Sequence, residues 1–136
     1  MYQTILIPID PAHAERAGPM FEAAQALRNP DSRVVCIHVV PEPPASVSLV
    51  MPPEVFKELV SKARDALEKL VADAGSDASV EIMSGHPAQT VLEAADALKA
   101  DVVIIGSHAP GLEDYLLGST ASRVVRHAKC AVLVQR

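Results

Sequence analysis

The chain is poor in aromatic residues, with no tryptophan, two tyrosines and two phenylalanines among 136 residues. It therefore lacks the rings on which single-stranded bases stack, and its formal charge of −5 comes without the clustered Lys and Arg that hold a phosphate backbone. Nucleic acid is excluded as the main partner. Cysteine is equally scarce. Cys36 and Cys130 stand alone in or beside apolar runs, without paired-ligand spacing, and read as buried reduced thiols rather than as a disulfide or a metal site. No apolar run approaches the roughly twenty residues of a membrane helix, and "MYQTILIPID" lacks the basic flank and cleavage site of a secretory signal. The expectation is a cytoplasmic protein with no membrane insertion. Two phosphate-binding signatures are missing as well. No G-x-x-x-x-G-K-[ST] occurs anywhere, and the first strand is followed by "PIDPAHAERAG" where a dinucleotide fold needs G-x-G-x-x-G.

What is present is a regular alternation of two periodicities, in a chain of one domain's length, 1–136. Strand-like runs are Thr4 to Ile9, "RVVCIHVV" from Arg33, "ASVEIM", "DVVIIG" and "CAVLVQR". Between them lie helical patterns. The first starts near Arg16 or Gly18, places Ala17, Met20, Phe21, Ala24 and Leu27 on one face, and stops at Asn29 and Pro30. The second, Glu54 to Ala74, presents Phe56, Leu59, Val60, Ala63, Leu67, Leu70 and Val71, and follows a stretch, "PEPPASVSLVMPP", too proline-rich for regular structure. The third runs from Pro87 to about Lys99, with Val91, Leu92, Ala95 and Leu98 inward, and the fourth from Ser119 to Ala128. Strand and helix alternate, so the expected fold is α/β: an open parallel five-stranded sheet with helices on both faces. Ligands of such sheets bind beyond the carboxyl ends of the strands, where strand order reverses.

One such end carries most of the chemistry. The buried run before Gly106 gives way to a loop, and Gly118, Ser119 and Thr120 then open the last helix, whose first amides and dipole favour an anion. The competing reading is structural, with Ser119 capping the helix and Gly118 easing a turn. A phosphorylated receiver domain does not fit, because Ser84 and Gly85 follow the third strand where the acceptor Asp belongs, and no Lys ends the last one. His38, inside a buried run, reads as a core histidine.

The motifs "ILIPID", "IHVV", "GHPAQTVLEAA" and "IIGSHAPGLEDYLLGSTASRVVRHAKCAVLV" together resemble the universal stress protein family along essentially the whole chain. Within it the chain resembles the nucleotide-binding branch whose loop reads S-H-x-P before Y-L-L-G-S. The resemblance implies a Rossmann-like fold of the adenine nucleotide alpha hydrolase type, with strand order 3-2-1-4-5. It implies ATP, AMP or ADP as a regulatory ligand, accompanied by Mg, with slow hydrolysis at most and no assigned catalytic residue. Carried over position by position, Pro8, Ile9 and Asp10 line the adenosine pocket, Val39 reads the adenine edge through its backbone, and Ile105 packs on the base. Gly106, Ser107, His108 and Ala109 surround ribose and phosphates, and Gly118, Ser119 and Thr120 hold the distal phosphates. Asp10 serves equally well as a helix cap. The family pattern has a second glycine where Ala109 stands, and nine residues before the next glycine where this chain has eight. The resemblance also implies a homodimer through the terminal strand, Ala131, Val132, Leu133, Val134 and Gln135. Two alternatives stay open: a nucleotide-independent dimer that docks onto a transporter or metabolic enzyme, and an ATPase or self-phosphorylating enzyme with Ser119, Thr120 or His108 as acceptor.

Overall fold

The computed structural model describes residues 1–107 and 117–136. Strands β1 (Tyr2–Pro8), β2 (Arg28–Val40), β3 (Ser79–Ser84), β4 (Val102–Gly106) and β5 (Ala131–Gln135) form one parallel sheet in the order β3-β2-β1-β4-β5. The helices are α1 (Ala17–Leu27), α2 (Ala45–Ser48), α3 (Pro53–Asp73), α4 (Pro87–Leu98) and α5 (Ser119–His127), and a 3-10 turn, Pro11–Arg16, leads into α1. The central strands are β-branched runs buried on both faces, so each face needs its own cover. On one face Ile5, Ile7, Cys36 and Ile104 pack against Met20, Phe21 and Ala24 of α1 and Leu67 and Val71 of α3. On the other, Leu6, Val35, Ile37, Val103 and Ile105 pack against Val91, Ala94 and Ala95 of α4 and Ala121 and Val124 of α5. Both cysteines are free, and burial pushes the Cys36 thiol up to about 12. Cys130, only half-buried, is raised by the same cause.

The sheet holds β1 against β4 tightly at one end only. The Asp101 carboxylate accepts from the backbone N–H groups of Gln3 and Thr4 at 2.9 and 2.8 Å, and the Asp101 N–H donates to the Thr4 carbonyl at 2.8 Å. The β1·β4 register then runs only through Ile5↔Val102 and Leu6↔Val103, whereas β1 stays paired with β2 as far as Pro8↔Ile37. Beyond Leu6 and Val103 the two strands make no further ladder pair.

Three expectations change. Helix α1 ends at Leu27, and β2 begins at Arg28, ahead of Pro30, because residues 29–32 bulge outward between the pairs Tyr2↔Arg28 and Thr4↔Arg33. Proline is tolerated in such a bulge, where it owes the ladder no amide. The proline-rich stretch does hold regular structure, the single turn α2. In α3 only Leu67 and Val71 are buried; Phe56, Val60, Ala63 and Leu70 are half-buried and Leu59 is 46% exposed, so the apolar arc is covered less completely than its period implies.

Two backbone positions invite a test. Gly85 has φ 141°, and a Cβ there would lie 2.8 Å from Thr90 Oγ1. Lys99 closes α4 in the left-handed region at φ 54°. In urea titration Gly85→Ala is expected to lose about 1–3 kcal/mol, only partly recovered by adding Thr90→Ala, which removes the clash but leaves the strained φ. Lys99→Gly is expected to gain about 1 kcal/mol by removing the Cβ penalty.

Candidate functional site

Where β1 and β4 part, a cavity of about 310 Å³ opens at the carboxyl ends of the strands. Pro8, Ile9 and Asp10 from the end of β1, Val39 from β2 and Ile105 and Gly106 from β4 line it, facing Gly118, Ser119 and Thr120 at the start of α5. Nine of the twelve residues expected at a site thus share one wall system. Ser107 is buried behind the cavity rather than on it. His108 and Ala109 lie outside the described residues, as do Tyr115 and Leu116.

The floor is apolar because it is the top of the core: Ile37, Val39, Val91 and Ile105 end the packed layers. Gly106 keeps the middle open. A Cβ built on it meets no atom within 4 Å among the described residues, so the space beside it is open.

The α5 end is anchored from below. The Gly118 N–H donates to the Ser107 carbonyl at 2.6 Å, and the Ser107 N–H donates to the Gln135 carbonyl at 2.9 Å, tying the helix start to β4 and β5. Gly118 itself is the N-cap, with an extended φ of −62° and ψ of 161°, and no side chain caps the helix. This corrects the structural reading of the sequence. Ser119 is the first helical residue, exposed, and Gly118 adopts a backbone open to any residue. First-turn amides that no side chain caps, at the positive end of the helix dipole and on a cavity wall, form a setting for an anion. The nearby Ser107 hydroxyl is buried with no hydrogen-bond partner among the described residues.

The opposite rim holds residues that motif reading passed over. His13 and Arg16 of the 3-10 turn line the cavity together with Ala17 and Met20 of α1, and so does His38, which is half-buried at the cavity rather than in the core. The spacing from Asp10 could have revealed His13 and Arg16, since a turn that starts at a cap and leads into a buried helix must place its third to sixth residues near the strand end. Asp10 does cap that turn: its Oδ1 accepts from the Ala12 N–H at 2.9 Å, while Oδ2 lies 3.9 Å from His13 Nε2. Both roles weighed for Asp10 meet in one carboxylate, because it caps and also faces the cavity. No group of three or more His, Cys, Asp or Glu among the described residues is placed to hold a metal ion, and no described helix is long and apolar enough to cross a membrane.

A doubly wound sheet of this order, with a pocket at the point where strand order reverses, defines a class of small-ligand binding domains. The universal stress protein family model matches residues 1–136, and the chain belongs to that family. It is 36% identical over 143 aligned residues to universal stress protein G of Escherichia coli O157:H7, covering the whole of both chains. Among solved structures it superposes on hypothetical protein MJ0577 with a TM-score of 0.81 at 27% identity, covering 98% of this chain and 95% of that one. A universal stress protein solved in complex with cAMP shares the fold, with a TM-score of 0.72 at 20% identity over 99% of this chain and 97% of its own.

Removing the Asp10 cap should cost the ligand-free protein about 1 kcal/mol. Asp10→Ala measured by thermal unfolding checks this, and Asp10→Asn, which keeps an acceptor for the Ala12 amide, should restore most of the loss.

Proposed function

We propose that this is a cytoplasmic regulatory protein that binds an adenine nucleotide, ATP foremost, in the cavity between β1 and β4. The observation that carries the reading is the pairing of an apolar slot, open above Gly106, with the uncapped start of α5 on the same cavity. A purine needs flat apolar walls and a main-chain edge to read, which Ile9, Val39 and Ile105 offer. A phosphate chain needs unpaired amides and positive potential, which Ser119 and Thr120 offer. A universal stress protein of this fold solved in complex with cAMP adds support for an adenine nucleotide as the ligand class. Mg accompanies the phosphates as their counterion. Asp10 meets the ribose, and the buried Ser107 holds up the phosphate wall through its main chain.

The site is built for holding rather than for transfer. Efficient phosphoryl transfer asks for a cation against the developing charge and a group that orients the nucleophile. Arg16 on the rim is a cation the cavity does supply, but Asp10, the one acidic residue on its wall among the described residues, has Oδ1 engaged in capping and is not free to orient a nucleophile. ATP thus acts as a bound signal, hydrolysed slowly at most.

The second part of the reading is a homodimer through β5. Both outer strands of the sheet are edges, but they are guarded differently. On β3, Arg64 of α3 donates to the Val80 carbonyl at 3.3 Å, and Glu81 adds a charge. Strand β5, from Ala131 to Gln135, pairs with β4 alone and carries no charge or proline. Amides alternate sides along a strand. The Ala131 N–H reaches back to the Asp101 carbonyl, so Val132 and Val134 aim theirs at the open edge, ready for the same strand of a second copy.

Two measurements test these parts separately. By titration calorimetry, Gly106→Val should weaken ATP binding at least tenfold, about 1.4 kcal/mol, with the melting temperature of the ligand-free protein unchanged; equal affinity in the folded variant overturns the nucleotide reading. Val132→Pro, which spares the β4 ladder, should convert a dimer to a 14.4 kDa monomer in light scattering. A persistent dimer would place the contact elsewhere.

A further inference from the structure

The cavity draws its wall from both core layers, because it opens over the ends of the strands. Ile9, Ala17 and Met20 belong to the layer under α1, and Val39, Val91 and Ile105 to the layer under α4 and α5. Side chains alternate faces along a strand. His38 therefore stands with Cys36 on the α1 side, opposite Ile82, which packs on that same layer.

The charged groups are not shared between the two sides. Asp10, His13, Arg16 and His38 are the titratable side chains lining the cavity among the described residues. They come from the end of β1, the 3-10 turn that leads into α1, and the α1 face of β2. On the other side, Gly118, Ser119 and Thr120 bring amides and hydroxyls but no charge. The apolar floor thus lies between two walls that suit anions, helix amides on one and two imidazoles with a guanidinium on the other. Asp10 offsets part of the second wall without closing it. Its Oδ1 accepts from the Ala12 N–H, and its Oδ2 lies 3.9 Å from His13 Nε2. An imidazolium has two donors, so with Nε2 turned to Asp10 the Nδ1 hydrogen is left for a ligand.

A nucleoside 5′-phosphate uses only one of these walls. With its phosphates at Ser119 and Thr120 and its ribose at Asp10, it brings no anion to His13, Arg16 or His38. The 2′ and 3′ hydroxyls of a ribose lie on the edge of the ring away from the 5′ carbon. At Asp10 they face the imidazole side, and a phosphate on either one meets donors there. Imidazolium and guanidinium are the side chains suited to it, the second through its planar fork.

We infer that His13, Arg16 and His38 form a second phosphate subsite, which takes a phosphate carried on the 2′ or 3′ oxygen of an adenosine 5′-phosphate. The inference rests on the nucleotide reading above and extends it to a class of ligand, the adenosine bisphosphates, held more tightly than the 5′-monophosphate.

Titration calorimetry of the full chain without Mg tests this with four ligands: AMP, ADP, adenosine 2′,5′-bisphosphate and adenosine 3′,5′-bisphosphate. ADP is an isomer of the bisphosphates and carries both phosphates on the 5′ side, so it controls for phosphate number. Wild type is expected to bind at least one bisphosphate about tenfold or more tightly than AMP, the gain of a charge-assisted contact. In H13Q/H38Q that ratio should fall to about twofold or less, while the ratio of ADP to AMP stays as in wild type. If the double variant misfolds, H13Q alone, in the partly exposed turn, should lower the bisphosphate ratio at least about threefold. AMP binding with neither bisphosphate bound more tightly overturns the inference and leaves the nucleotide reading standing. A bisphosphate gain that persists undiminished in the variants overturns it as well. No binding of any of the four ligands overturns the nucleotide reading itself, and this inference with it.

Discussion

The structure turns on how β1 and β4 are joined. They are the two strands between which the chain reverses its direction of travel across the sheet, so no crossover helix spans their carboxyl ends. Asp101 clamps them at the opposite end through two backbone amides of β1 and its own N–H. Clamped at one end and free at the other, the pair opens like a wedge, and the core layers that close the rest of the sheet end there as exposed apolar floor. The cavity is therefore a consequence of topology. What the individual residues decide is what can enter it.

Two of those decisions are made by what is absent from a side chain. Gly106 adds nothing to the floor, which keeps a flat slot open. Gly118 caps α5 without a hydroxyl or carboxylate to occupy its first amides. A Ser or Asp at Gly118 would be the ordinary stabilising choice, contributing about 1 kcal/mol to the helix. The chain forgoes that and anchors the helix start through a main-chain bond to Ser107, which is itself bonded to Gln135. Local stability is given up where a ligand's anion can take its place, a trade common at binding sites.

Much of this was legible in the residues. Continuous β-branched runs marked strands buried on both sides, and 3.6-residue periodicity marked the helices over them, because each pattern is what the element must bury. The glycine-bounded segment from Gly106 to Gly118 was legible because glycine beside a strand end has few other uses. The carry-over from the family pattern brought Pro8, Ile9, Asp10, Val39 and Ile105 to the same cavity. Less legible were positions whose fate depends on tertiary neighbours. His38 sits in an apolar run but close to the end of its strand, where the core gives way to the cavity. Leu59 carries the period of a buried face, yet it stays 46% exposed. His13 and Arg16 belong to no periodic element, and only the turn capped by Asp10 brings them to the rim.

The central claim is that a nucleotide occupies the wedge between β1 and β4. The most direct measurement is a titration of isotopically labelled protein with ATP, followed by backbone amide resonances. The account predicts that the largest shifts fall on Val39, Gly106, Ser119 and Thr120, while the amides of β3 and of the C-terminal half of α3 stay in place. Saturable shifts confined to other surfaces, or none at millimolar ATP, would contradict it.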